Sequence, residues 1–143
     1  MKRVRSSSDC SARYKRMDSF SEPNPGANRV KDRFISADPS NIRICSVVKA
    51  ELYFGAMKSS RSAENLALLD LLFADLISLP FDDDAARTYG EIRSILARQG
   101  TPIGPNDLMI ASIALVHAAE LITHNTREFS RVTGLIIDDW EQE

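Results

Sequence analysis

Cysteine is scarce in this chain: two residues in 143, Cys10 and Cys45, cannot make a disulfide framework, and they point to a reducing, cytoplasmic setting. Long apolar runs are missing too, so no segment spans a bilayer and no membrane partner is expected. The basic start MKRVRSSSDCS has no apolar stretch behind it and does not read as a secretory signal. His117 and His124, the only histidines, do not combine with the cysteines at zinc-like spacing and read as structural residues. A GxxxxGK phosphate loop and a GxSxG nucleophile elbow are both absent, which removes P-loop phosphoryl transfer and serine-hydrolase chemistry.

What is present fits one domain, long enough to bury a core without metal or disulfide staples. The formal charge of −2 hides an asymmetry. Residues 1–33 hold nine Lys/Arg against four acids, a net of +5, and the remainder holds nine against sixteen, a net of −7. A basic, Ser- and Pro-rich end of that kind is a solvated, poorly ordered segment or a contact for nucleic acid or an acidic partner. Residues 1–29 show neither helical nor strand periodicity, and the expected division is an atypical segment over 1–29 and a folded domain over 30–143.

From Val30 the pattern sharpens. VKDRFISA reads as a short helix, Asp38 to Asn41 as a turn, Ile42 to Cys45 as a strand, and Ser46 as the cap of a helix through VVKAELYFGAMKS. Leu66, Leu69, Phe73 and Leu76 recur at helical steps, with LISLPF behind them as a short buried strand. A third helix opens at Asp82-Asp83-Asp84, buries Ala85, Tyr89, Ile92 and Leu96, and stops at Gly100. A fourth begins at Asn106-Asp107, followed by strands at Glu120 to His124 and at Gly134 to Asp138. Strands alternating with amphipathic helices imply an α/β fold with a mostly parallel sheet covered on both faces, whose ligands gather at the carboxyl ends of the strands.

Three acids fall where such ligands gather. Asp107 stands in PIGPNDLMIA, at the mouth of an otherwise apolar helix. Together with Asn106 it either caps the helix and offsets its dipole, or it serves as a ligand on the rim of the core. Glu51 shares a helix face with Val47 and Gly55, so it is half-buried and calls for a compensating cation, either an ion or a distant Arg; Lys49 lies on the wrong side. Glu128 follows the strand at Leu121. Converging carboxylates without a His/Cys cluster suit a hard divalent ion, Mg²⁺ or Mn²⁺, and with it phosphodiester hydrolysis.

Over Ile42 to Trp140 the segments SVVKAELYFGAMKS, LPFDDDAARTYGEIRSILARQGTPIGPNDLMIAS and LITHNTREFSRVTGLIIDDW resemble the PIN-domain ribonuclease toxins of the VapC type. That resemblance implies a three-layer α/β/α sandwich and a Mg²⁺- or Mn²⁺-dependent endoribonuclease acting on RNA, commonly tRNA. It also implies a VapB-type antitoxin as partner and a homodimer. The catalytic acids it carries over are Glu51 of AEL, Asp107 of PIGPND and Glu128 of TREF, with Glu51 and Asp107 as metal ligands. Asn125 and Thr123 are supporting residues, Thr123 and Thr126 serving equally well as turn hydroxyls. With a body of net charge −7, RNA must be met by a local basic patch. Arg127 and Arg131 are its candidates, or are surface charges.

The departure lies at the amino terminus, where the family has an apolar strand ending in LDTN whose Asp is a principal metal ligand. VRSSS in a central strand would bury polar side chains, so no such strand is expected here. Asp9, forty-two residues before Glu51, stands nearest the separation required of the missing ligand, and Asp18, thirty-three before, is the weaker substitute. Residues 1–29 therefore read as a replaced start, as after a change of frame or start site. The rival to an active toxin is a catalytically inactive PIN-like protein that binds a VapB-like antitoxin or an intact toxin.

Overall fold

The computed structural model describes residues 4–7 and 25–142. Its strands are β1 (Val4–Ser7), β2 (Ile42–Cys45), β3 (Ile77–Leu79), β4 (Ala119–Ile122) and β5 (Ile137–Asp138). Its α-helices are α1 (Pro25–Ser36), α2 (Ser46–Lys58), α3 (Ser62–Ala74), α4 (Asp83–Gln99), α5 (Pro105–Val116) and the single turn α6 (Thr126–Phe129). The strands form one sheet in the order β3-β2-β1-β4-β5, and every pairing is parallel. All carboxyl ends therefore share one edge.

The expectation that no first strand would form is corrected here. Val4–Ser7 occupies the centre of the sheet, pairing Arg5 with Ile42 on one side and running from Val4 opposite Ala119 to Ser7 opposite Ile122 on the other. Strand pairing is a property of the backbone, which offers the same donors and acceptors whatever the side chain. The neighbours β2 and β4 carry the apolar load, with Ile42, Ile44, Leu121 and Ile122 all essentially inaccessible. The helix expected from Val30 begins at Pro25, so α1 crosses the 29/30 division suggested by composition.

Alternation along β4 separates the two faces. Leu121 joins the main core with Ile44, Val48, Leu52, Leu96 and Ile113, whereas Ile122, next in sequence, packs with Val30 of α1 and with Trp140. Helices thus cover both sides of the sheet in a three-layer α/β/α sandwich. Helix α5 accounts for much of the main core, burying Leu108 and the unbroken run Ile110 to Ala114. Its only fully buried hydroxyl, Ser112, donates to the Leu108 carbonyl at 2.6 Å and so carries no unmet polar group inside. Strand β3 is shorter and less buried than LISLPF suggested: it lies at the sheet's edge with Ile77 half exposed and only Leu79 turned inward.

Two helix ends follow the chemistry of their residues. Asp82 is the N-cap of α4, accepting from the Ala85 amide at 2.9 Å, and Gly100 closes the helix at φ 70°. Ser46 does not cap α2, as was expected, because the helix starts one residue earlier with Cys45 at the N-cap. The Ser46 hydroxyl instead accepts from the Phe81 amide at 3.3 Å, tying the start of α2 to the chain leaving β3.

Candidate metal and phosphodiester site

The acid at the mouth of α5 is placed by backbone geometry. Gly104 is the N-cap, extended at φ −60° and ψ 149°, and Pro105 fills the first helical position, where its missing N–H costs nothing. Asn106 and Asp107 thus become the second and third residues of the helix, and no side chain caps it. The capping reading of these two residues fails. Their side chains reach outward: Asn106 Nδ2 donates to Glu51 Oε1 at 3.1 Å, and Asp107 Oδ2 accepts from Asn125 Nδ2 at 3.2 Å.

Glu51 comes from α2, which leaves the carboxyl end of β2. No Lys or Arg pairs with it among the described residues, so the alternative of a distant Arg as its compensating cation is not met. Lys49 lies over the Phe73 ring at 4.9 Å, as its side of the helix required. Glu128 comes from α6, the turn after β4. Phe129 beside it is buried and anchors that turn, and the Thr123 hydroxyl accepts from the Asn125 amide at 3.0 Å, fixing the approach to it.

Asp107 records the convergence. Its carboxyl is pushed up from an ordinary 3.8 to about 6, first by burial, then by a hydrogen bond with Glu128 and by the charges of Glu128 and Glu51; the Asn125 amide opposes the rise. Three acids from three elements therefore repel one another at one sheet edge, with neutral amides as their donors. That donor set fits a hard divalent cation, which prefers oxygen ligands and would cancel the repulsion. Among the described residues no three His, Cys, Asp or Glu side chains close around a common metal position. Asp9, expected as a further ligand, lies outside the described residues, as does Asp18.

The basic candidates separate. Arg131 donates to the Pro102 carbonyl at 2.8 Å and so braces the loop leading to Asp107, a task the sequence did not reveal. Arg127 on α6 is exposed. Asn106, read from the sequence only as a cap, is the site residue that sequence reasoning missed; its one signal was adjacency to Asp107. His124 is structural, as expected: its Nδ1 lies 3.1 Å from Asp139 Oδ2 and 3.6 Å from Glu141 Oε2, binding the end of β4 to the carboxy-terminal segment.

Comparison with known proteins places this geometry in context. A family model described as the PIN domain matches residues 19–135. A tRNA(fMet)-specific endonuclease VapC of Salmonella typhimurium is 40% identical over 111 residues, 78% of this chain and 83% of the relative. Ribonuclease VapC2 of Rickettsia felis is 39% identical over 106 residues, 74% of this chain and 79% of the relative. Among solved structures, DNA-bound VapBC from Salmonella typhimurium superposes with a TM-score of 0.80 at 34% identity, covering 96% of this chain and 98% of that one. VapBC2 from Rickettsia felis, bound to a promoter fragment, superposes at 0.75 with 32% identity, over 94% of this chain and 97% of the other.

Proposed function

This chain belongs to the PIN-domain family and, within it, to the VapC ribonucleases, and from that premise we propose that it is the toxin of a toxin–antitoxin pair, cutting RNA with Mg²⁺ or Mn²⁺ in the cytoplasm. The observation that carries the reading is the meeting of Glu51, Asp107 and Glu128 at one sheet edge, with Asp107 raised to about 6 by burial and by the other two. Glu51, Asp107 and Glu128 would hold the ion. Bound there, it would polarise the scissile phosphate and make a water nucleophilic near neutral pH.

The chain's own contribution is to aim these oxygens. Asn106 holds Glu51, Asn125 holds Asp107, and Thr123 holds the backbone of Asn125. The carboxylates of Glu51 and Asp107 are therefore held in set directions at this edge, which is what an ion with strict geometry demands of its ligands. The opening turn of α5 adds the positive end of a helix dipole, favourable to an incoming phosphate. A tRNA is the natural first substrate to try, because the Salmonella relative is named as a tRNA(fMet)-specific endonuclease.

A VapB-like antitoxin is the proposed protein partner, since the solved relatives are VapBC complexes. The α2–α3 pair supports this by leaving Phe54, Met57, Leu68 and Leu71 exposed, at 64, 64, 49 and 71%, more apolar surface than a helix pair facing only water retains. A homodimer is proposed with it.

The deciding experiment is cleavage of tRNA by the purified chain with Mg²⁺, with Mn²⁺ and with EDTA, beside Asp107→Asn. Cleavage that needs the metal and falls at least a hundredfold in Asp107→Asn is expected, with circular dichroism unchanged. Cleavage surviving that substitution would remove the site. The second reading, an inactive antitoxin binder, is favoured by one observation: VRSS occupies the central strand where the family has an apolar run ending in LDTN. It predicts no cleavage under any metal together with retained antitoxin binding.

A further inference from the structure

On the other side of the turn that carries Asp107 lies a cavity of about 340 Å³ between α4 and the Pro102–Leu108 segment. Pro105 and Leu108 line it, while Asn106 and Asp107, which lie between them in sequence, bond to Glu51 and Asn125. The opening turn of α5 thus stands between the cavity and the acids, which lie on opposite faces of the helix.

The walls are mostly apolar, with one aromatic ring and one cation. Tyr89 forms the aromatic wall, braced edge-on by Phe81 at 6.0 Å and 81°. The Arg93 guanidinium lies 5.9 Å from the Tyr89 ring centre, with Nη1 3.5 Å from the phenol oxygen. Opposite, Pro102 and Pro105 stiffen the loop, and Arg131 pins the Pro102 carbonyl. No carboxylate pairs with Arg93 among the described residues. An aromatic face, a stacked guanidinium and an apolar floor suit a flat, polar-edged ring attached to an anion.

We propose that this cavity receives an unpaired nucleobase of the RNA, stacked on Tyr89 and met by Arg93, while the strand runs on around the mouth of α5 to the acids. The inference rests on the ribonuclease reading above and adds to it the residues that position the strand. Arg93, exposed on α4, becomes a ligand contact. Tyr89, read as core, is only half-buried and lines the cavity. Single strands are recognised in this manner because every base has a face to stack, whereas a duplex keeps its bases covered.

The test uses the full chain, the four nucleoside 5′-monophosphates and ribose 5-phosphate as probes, followed by NMR of the Tyr89 ring and Ile103 methyl signals without added metal. The nucleotides should shift these signals and ribose 5-phosphate should not. Tyr89→Ala and Arg93→Ala should each weaken nucleotide binding about tenfold or more, within the range for removing one base–aromatic stack, while Tyr89→Phe retains it. If Tyr89→Ala does not fold, Ala97→Met fills the same cavity and should block binding. Equal shifts with ribose 5-phosphate, no shifts at all, or Tyr89→Ala altering only the sedimentation of the chain would overturn the proposal, the last by giving the cavity to a second copy. Binding without metal-dependent cleavage would sink the nuclease reading alone, and cleavage without nucleotide binding would sink only the cavity.

Discussion

Asp107 concentrates the cost of the site in one side chain. Its pKa in the folded chain, about 6, lies above its ordinary 3.8, so the fold binds a proton that the unfolded chain releases. The sign follows: without metal, this group lowers stability above about pH 6 and ceases to do so as pH falls through 6 toward 3.8. Asp107→Asn should therefore raise the metal-free stability near pH 7.5 by about 1 kcal/mol, a value discounted for the partial exposure of the carboxylate, and should flatten stability between pH 4 and 7 in urea titrations. The same substitution removes the proposed cleavage, so a gain in stability with a loss of function is the expected signature. Mg²⁺ should raise the melting midpoint of the parent and not of the variant. The existence of these acids was legible in AEL, PIGPND and TREF. Asn125 was carried over beside them as a supporting residue, but the reach of Asn106 to Glu51 was not legible, because the two stand 55 positions apart.

Among the elements, end chemistry decides small but separable increments. Asp82→Ala removes the cap on Ala85 N and should cost about 1 kcal/mol in denaturant unfolding. Ala118 holds φ 48° after α5, a conformation that crowds a Cβ. Ala118→Gly should therefore stabilise by about 0.5–1 kcal/mol, read in the same titration. The helices were visible because Ala85, Ile92 and Leu96, or Leu69 and Phe73, repeat at the helical period and are buried accordingly. Strand β3 was overextended because every residue of LISLPF except Ser78 is apolar, and only its edge position decides that Ile77 faces water.

At the scale of the whole molecule, the carboxy-terminal segment fastens the second face of the sheet. Trp140 packs on Val30 and Ile122, its indole N–H donating to Asp138 at 3.1 Å, while Arg29 Nε donates to the Glu141 carbonyl at 2.8 Å. Trp140→Ala should cost about 3–5 kcal/mol, measured by urea unfolding, since it empties a fully buried site. The opposite terminus carries a functional prediction. Replacing residues 4–9 by an apolar strand ending in Leu-Asp-Thr-Asn should raise metal-dependent cleavage at least tenfold if the present start lacks a ligand; equal cleavage by both chains would show that residues 1–29 already supply what the site needs.

By itself the sequence determined the helices, the parallel α/β class and the identities of the three acids, because helical periodicity, turn residues and short motifs are local properties. Only the tertiary structure decided three further matters. It placed Val4–Ser7 at the centre of the sheet, since backbone pairing does not consult side-chain polarity. It showed that Asn106 and Asp107 leave α5 uncapped and reach instead to Glu51 and Asn125, since Gly104 and Pro105 set where the helix begins. It set a cavity behind Asp107, since the packing of α4 against α5 brings Tyr89 and Arg93 to a loop more than eight residues away in the chain.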